Sequence, residues 1–301
     1  MSVVALLGFG EVGRILAEEL KLPSGSSMRV WDIAFFDTAS TASRNGVALG
    51  ISPCSSAAES VSDADLVISA VTAAQCVAAA QAAAYAIAPG AWFVDLNSSA
   101  PEQKQGAAAV IESGGGRFVE AAVMSPIEPL RLSAPILLGG PHATAFLDYA
   151  GPLGFSGMEA YCESIGPASA TKLCRSVVIK GLEMLMLESL FAARAWGVES
   201  KVLDSLSNVL PSGDWETLAA YMIERSLIHG ERRAEEMLMA AEMVAKAGTR
   251  PLMAAAAADQ QRWAGQLRTD PPTPGLGSLL DSIRGAATSS TTPGDSQNCT
   301  P

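Results

Sequence analysis

Cysteine is scarce and unpaired in this sequence. The five cysteines (54, 76, 162, 174 and 299) are scattered, odd in number and never spaced as CxxC. That excludes a disulfide framework and a structural zinc site, and implies a reducing compartment. Histidine occurs only twice, aromatic residues make up 6% of the chain, and no Ser-His-Asp signature or metal-ligand spacing is present. Basic residues are outnumbered: 20 Lys and Arg against 31 Asp and Glu leave a formal charge of −11. With no Lys/Arg run, that balance argues against nucleic acid and anionic membrane as partners. Long apolar runs are missing as well. Mean hydropathy is positive, but the most apolar stretch, 64–89, is Ala-rich and interrupted by polar residues, so no transmembrane helix is expected. No basic leader with a cleavage site precedes the first apolar run. A cytoplasmic location is expected.

What is present is a large apolar fraction, 49% over 301 residues, enough for two domains. Residues 1–165 alternate short apolar runs with helical patterns. Strands are expected at Val3–Leu7, Met28–Trp31, Leu66–Ala70, Trp92–Leu96, Phe118–Ala121 and Ile136–Leu138, with helices such as Val12–Leu20 and Ala73–Ala88 between them. This alternation predicts an α/β fold: an N-terminal Rossmann-type, doubly wound, mainly parallel sheet. From about Ser169 the strand signal stops. Long helical patterns follow at Ala170–Ala195 and Trp215–Ala247, broken by Gly197, Pro211-Ser212-Gly213 and Gly248. An all-α C-terminal domain over 166–285 is therefore expected, with enough Ala, Leu and Met surface to bury part of it in a homodimer. Residues 286–301 have almost no apolar content and are expected to form a disordered tail. The sequon at Asn298-Cys299-Thr300 is read as accidental in a cytosolic chain.

The run Gly8-Phe9-Gly10-Glu11-Val12-Gly13 fits G-x-G-x-x-G. The pattern alone is weak, but here a strand precedes it and an amphipathic helix follows. Gly8 would permit the tight turn, Gly10 the approach of a pyrophosphate, and Gly13 close packing of helix on strand. The helix N-terminus would offer N–H groups to the phosphates. Asp32 lies at the end of the second strand, roughly 20 residues past Gly13, where a carboxylate accepts hydrogen bonds from the adenosine ribose. Its charge repels a 2′-phosphate, so NAD is expected over NADP. The plainer alternative for Asp32 is a loop carboxylate near a strand end. Arg44 is too far along to be assigned to a 2′-phosphate.

Four segments, in order, resemble the β-hydroxyacid dehydrogenases, the family of 3-hydroxyisobutyrate and 6-phosphogluconate dehydrogenases. They are the glycine loop; Asp65 to Thr72; Asp95-Leu96-Asn97-Ser98-Ser99-Ala100-Pro101; and Gly166-Pro167-Ala168-Ser169-Ala170-Thr171-Lys172. They cover two-thirds of the chain. The resemblance implies hydride transfer between NAD and a small hydroxyacid, with the nicotinamide near Val71, Thr72 and Asn97, Ser98 and Ser99 holding the substrate's polar end, and Lys172 as the general acid–base. It also shows departures. The family's Ser-Gly-Gly loop is replaced by the segment ending Met124-Ser125-Pro126, and Pro126 has no N–H to offer a carboxylate. Met124 and Ser125 are carried over as substrate contacts by position alone. An Asn four residues after the lysine is replaced by Ser176, which would hold the substrate hydroxyl or Lys172. With the segment Gly230–Met237, these features resemble a divergent subgroup whose helical domain has no assigned function, so the substrate does not carry over.

Independently of that resemblance, Lys172, Ser176, Lys180 and Glu183 fall on one stripe of an otherwise apolar helix. A lysine there can lose solvation and have its pKa lowered toward neutrality. The plain alternative is a solvated helix face. Lys180 and Arg175 are candidate substrate-anion contacts. His229 with Arg232, Arg233 and Glu236 reads either as reaching the cleft or as a solvated ion-paired face. Two other functions stay open: an imine reductase, against which Lys172 counts, and a dinucleotide-binding protein without catalysis.

Overall fold

The computed structural model describes residues 2–206, 214–248, 250–267 and 275–289. The chain divides into two compact units, Met1–Cys174 and Arg175–Pro301.

In the first unit the apolar runs form strands β1 (Val3–Leu7), β2 (Ser27–Trp31), β3 (Leu66–Ser69), β4 (Trp92–Asp95), β5 (Arg117–Val123), β6 (Ile136–Gly139) and β7 (Met158–Cys162). Helices α1 (Glu11–Glu19), α2 (Thr41–Leu49), α3 (Ala57–Val61), α4 (Cys76–Ala84), α5 (Pro101–Ser113) and α6 (Ala143–Ala150) lie between them in the chain. The sheet order is β2-β1-β3-β4-β5-β6-β7. β1 to β5 are parallel, whereas β6 runs antiparallel to β5 and β7 parallel to β6. Strands buried on both faces supply two cores by alternation. Val4, Leu6, Leu66, Ile68 and Val94 enter one; Ala5, Leu7, Val67 and Phe93 enter the other. This is the expected doubly wound sheet.

Three details differ from the sequence reading. β7 is not among the expected strands: it lies at the sheet edge with its three central residues exposed, and its five residues carry no apolar run. β5 is longer than Phe118–Ala121, running on to Val123 through its pairing with Ile136 of β6. The helix expected at Ala73–Ala88 is a 3-10 turn, Ala73–Gln75, followed by α4, which stops at Ala84; Ile87 instead makes an isolated bridge to Ser62.

The second unit is helical among its described residues. The boundary between units falls within α7 (Pro167–Trp196), and α8 (Glu199–Leu206), α9 (Trp215–Lys246), α10 (Leu252–Gln266) and α11 (Leu276–Ser289) follow. α11 continues four residues into the segment expected to be a tail. Residues 290–301, including the sequon, and the break at Pro211-Ser212-Gly213 lie outside the described residues.

α9 and α10 pack backbone to backbone at Gly230 and Gly265. A β-carbon at Gly230 would stand 2.2 Å from the Gln261 carbonyl oxygen and 2.6 Å from the Gly265 nitrogen. Gly230→Ala is therefore expected to push the helices apart and cost about 1–3 kcal/mol, as overpacking does. A lower melting temperature for Gly230→Ala, beside an unchanged or higher one for Gly181→Ala, where a β-carbon meets nothing within 4 Å and alanine is the better helix former, would check this.

Candidate active site

The glycine loop occupies the turn from β1 to α1. Gly8 has φ +95, and a β-carbon on it would lie 2.4 Å from the Ala70 carbonyl oxygen. A β-carbon on Gly13 would lie 2.2 Å from the Gly8 carbonyl oxygen. A β-carbon on Gly10 would meet nothing within 4 Å, so the backbone there is open to a phosphate. Gly10 caps α1 without a side-chain hydrogen bond, which leaves the first-turn N–H groups of Glu11, Val12 and Gly13 without a side-chain cap. Phe9 is buried and its ring lies 5.9 Å from that of Phe35.

Asp32 is held beside this loop. Its Oδ2 accepts from the Phe9 N–H at 2.6 Å and its Oδ1 from the Ala34 N–H at 2.7 Å. Each oxygen keeps a further lone pair for a ribose hydroxyl. Asn45, which the sequence reading missed, donates to the carbonyls of Phe9 and Gly10 at 2.9 and 3.2 Å. Arg44 is engaged locally, with the Ala39 carbonyl and with Thr41 Oγ1. These features fit the diphosphate and adenosine ribose of a dinucleotide.

The exits of β3 and β4 are joined by Asn97. Its Oδ1 accepts from the Val71 N–H at 2.7 Å and its Nδ2 donates to Ser69 Oγ at 3.0 Å. Asn97 thus braces the edge through its buried side chain, while Thr72 is exposed. The two serines that follow diverge. Half-buried Ser98 accepts a hydrogen bond from Lys172 Nζ at 2.6 Å. Ser99 is buried and points to Cys76 Sγ at 3.3 Å, so Ser98, and not both serines, faces Lys172. Met124 donates its N–H to the Pro135 carbonyl at 2.8 Å, and Ser125 Oγ donates to the Pro126 carbonyl at 3.1 Å. That N–H is thus bound within the fold, which adds to the effect of Pro126 in removing a carboxylate cradle.

Beneath Ser98 lies a cluster that the motif reading did not single out. Lys104 is fully buried and donates to the Asp95 carbonyl and to Asp95 Oδ1, both at 2.9 Å. Asp95 also accepts from the Asn97 N–H at 2.8 Å and from Cys76 Sγ at 3.1 Å. Burial, followed by the Asp95 charge, pushes the Cys76 thiol up to about 11. A signal was available. Lys104 opens the buried stripe Lys104, Ala107, Ala108, Ile111 of α5, where a lysine needs an ionic partner. Glu120, fully buried in the middle of β5, accepts from the N–H groups of Gly166 and Ser169 at 2.6 and 2.7 Å.

Within the second unit the rest of the predicted polar stripe is occupied by ion pairs. Lys180 donates to Glu236 and, at 3.2 Å, to Ser176 Oγ. Glu183 receives Arg233 and, at 3.1 Å, Gln261. Arg232 reaches the other Glu236 oxygen at 2.6 Å. Burial lowers the Lys180 pKa, with Glu236 opposing it. Lys180 is thus engaged by a carboxylate of its own unit, and Arg233 and Glu236 are buried in place of forming a solvated face. Arg175 is exposed. Among the described residues, no group of His, Cys, Asp and Glu could hold a metal, and no helix is long and apolar enough to cross a membrane.

The sheet unit thus carries a glycine-cradled β1–α1 turn with a carboxylate held beside it, and a lysine–serine pair at the strand ends, in the arrangement of a dinucleotide-dependent oxidoreductase. Residues 3–146 match the NAD-binding domain of 6-phosphogluconate dehydrogenase, and residues 193–264 match a domain of unknown function, DUF1932. A conserved hypothetical protein of Sinorhizobium meliloti is 34% identical in a solved structure, with TM-score 0.72 over 95% of this chain and 97% of that one. A probable 3-hydroxyisobutyrate dehydrogenase of Mycobacterium tuberculosis is 26% identical over 67% of this chain and 68% of its own. An NAD-dependent L-serine dehydrogenase of Pseudomonas aeruginosa is 28% identical over 71% and 72%. The chain belongs to the β-hydroxyacid dehydrogenase family, and its cofactor class is a nicotinamide dinucleotide.

His229 on α9 yields a pH test. Burial first, then Arg225, Arg232 and Arg233, lower its pKa from 6.5 to about 4, with Glu236 opposing. Between those values the unfolded chain binds a proton that the folded chain does not, so stability falls as pH drops from 6.5 toward 4. His229→Asn is expected to flatten that part of the melting temperature against pH, measured by circular dichroism.

Proposed function

We propose that the protein oxidises a small hydroxyacid with NAD, Lys172 transferring the proton. The observation that carries the reading is the hydrogen bond from Lys172 Nζ to Ser98 Oγ, 2.6 Å, at the strand ends that follow the dinucleotide loop. Bound NAD supplies acceptance of the hydride from the substrate's carbinol carbon. Lys172, as the neutral amine, takes the hydroxyl proton. Ser98 orients the amine and the substrate oxygen together. Met124 and Ser125 line the neighbouring β5 exit as substrate contacts, with Val71, Thr72 and Asn97 on the nicotinamide side. Ser176 and Lys180 belong to this reading only as support for the α7 helix, since each already has a partner.

NAD over NADP rests on Asp32. Two backbone N–H groups hold its charge beside the loop, where a 2′-phosphate would be repelled. The reading extends to a cytoplasmic homodimer. Its support is the apolar surface of the helical unit, with Val178 67%, Ile228 71% and Leu252 57% exposed.

The experiment is a panel of small hydroxyacids, beginning with 3-hydroxyisobutyrate and L-serine because relatives carry those names, assayed for NADH formation. On the best substrate, Lys172→Ala is expected to lower kcat by about 10²–10⁴, with NAD affinity nearly unchanged. Lys172→Arg should not restore it, because guanidinium keeps its proton. Near-normal turnover in Lys172→Ala would refute the role.

For the cofactor, wild type is expected to bind NADH more tightly than NADPH, and Asp32→Asn to narrow the gap. Calorimetry showing wild-type preference for NADPH would reject the assignment.

A further inference from the structure

Asp95, the last residue of β4, and Glu120, the central residue of β5, are register partners, so their side chains leave the sheet on the same face. Both are fully buried, and each is compensated by a different device. Asp95 is neutralised by Lys104. Glu120 sits on two N–H groups at the start of α7, where the helix dipole favours an anion. Burying two carboxylates on neighbouring strands is costly, and what they hold is specific. Asp95 orients the Asn97 N–H at the turn that carries Ser98. Glu120 sets the start of the helix that carries Lys172, about one and a half turns further on.

The start of α7 makes the second point sharper. Gly166, with φ +122, has no side chain with which to cap the helix, and Pro167 offers no N–H. The cap therefore comes from a strand 46 residues away in the chain. An ordinary cap would tie the helix start to its own loop. This one registers it to β5, beside the strand that sets Ser98.

We infer that Asp95, with Lys104, and Glu120 are positioning residues for the Ser98–Lys172 contact, each strand registering one end of that hydrogen bond. Neither carboxylate touches substrate or cofactor in this role. They act through Ser98 and through the first turns of α7, because proton transfer tolerates little displacement of its partners. The inference rests on the reading of Lys172 as the proton-transferring group.

The test reads Lys172 without any substrate. The full chain is treated with acetic anhydride at one fixed pH, and acetylation of Lys172 is followed by peptide mass spectrometry relative to exposed Lys201. Melting temperatures are recorded alongside. Ser98→Ala is expected to change the relative rate about threefold or more, the equivalent of half a pH unit in the amine's titration. Glu120→Gln, and Asp95→Asn combined with Lys104→Met, should each change it by a similar factor. Neither should add much in the Ser98→Ala background, since both act through that contact.

The double replacement leaves no lone buried charge, so it carries the test if Glu120→Gln does not fold. Wild-type rates in the folded variants, whatever their melting temperatures, would overturn the inference. So would effects that add fully to that of Ser98→Ala. A clear, non-additive change in labelling, in a protein that oxidises no hydroxyacid of the panel, would uphold the positioning and reject the proposed function alone.

Discussion

A β-carbon at position 13 would stand 2.2 Å from the Gly8 carbonyl oxygen, and one at position 8 would stand 2.4 Å from that of Ala70. Everything at the sheet edge depends on these two contacts. They let α1 lie against the end of β1, and β1 against the exit of β3. Asn45 then holds the loop carbonyls from α2, and Asp32 holds the Phe9 N–H from β2. The open space over Gly10 is the consequence: the backbone is clamped on both sides while nothing stands over it.

Charge is handled alike in both units, although the chemistry differs. The acidic chain buries several ionic groups, and those described here have polar partners: Lys104 with Asp95, Lys180 with Glu236, Arg233 with Glu183. In the helical unit these pairs join α7 to α9, and Gln261 brings in α10. Breaking one partner of such a pair costs more than replacing both, because a buried charge is left unpaired. In the sheet unit the same device lies directly below the Ser98 turn. The two units thus use buried ions for packing in one and for orientation in the other.

The serines at 98 and 99 show where motif reading stops. Two adjacent, identical side chains meet different fates: one faces Lys172, the other the thiol of Cys76. Likewise Lys172, Ser176, Lys180 and Glu183 share a helix face by periodicity, yet their partners come from different parts of the chain. Lys172 finds Ser98, whereas Lys180 and Glu183 find carboxylate and guanidinium on α9.

By itself, the sequence determined the strands β1 to β6, the glycine loop, Asp32 at the end of β2, and the lysine on the long helix. These are local: each follows from periodicity, from the absence of a side chain at a turn, or from spacing along one chain segment. Tertiary structure alone decided β7, the antiparallel turn of β6, the inward rotation of Ser99, and the partners of Lys104, Glu120 and Lys180. The deciding contact comes from another element, often one far off in the chain, as between Glu120 and Gly166 or Lys180 and Glu236. A buried charge announces from sequence only that it needs a partner; which residue serves is settled when the sheet and helices bring distant segments within hydrogen-bond reach.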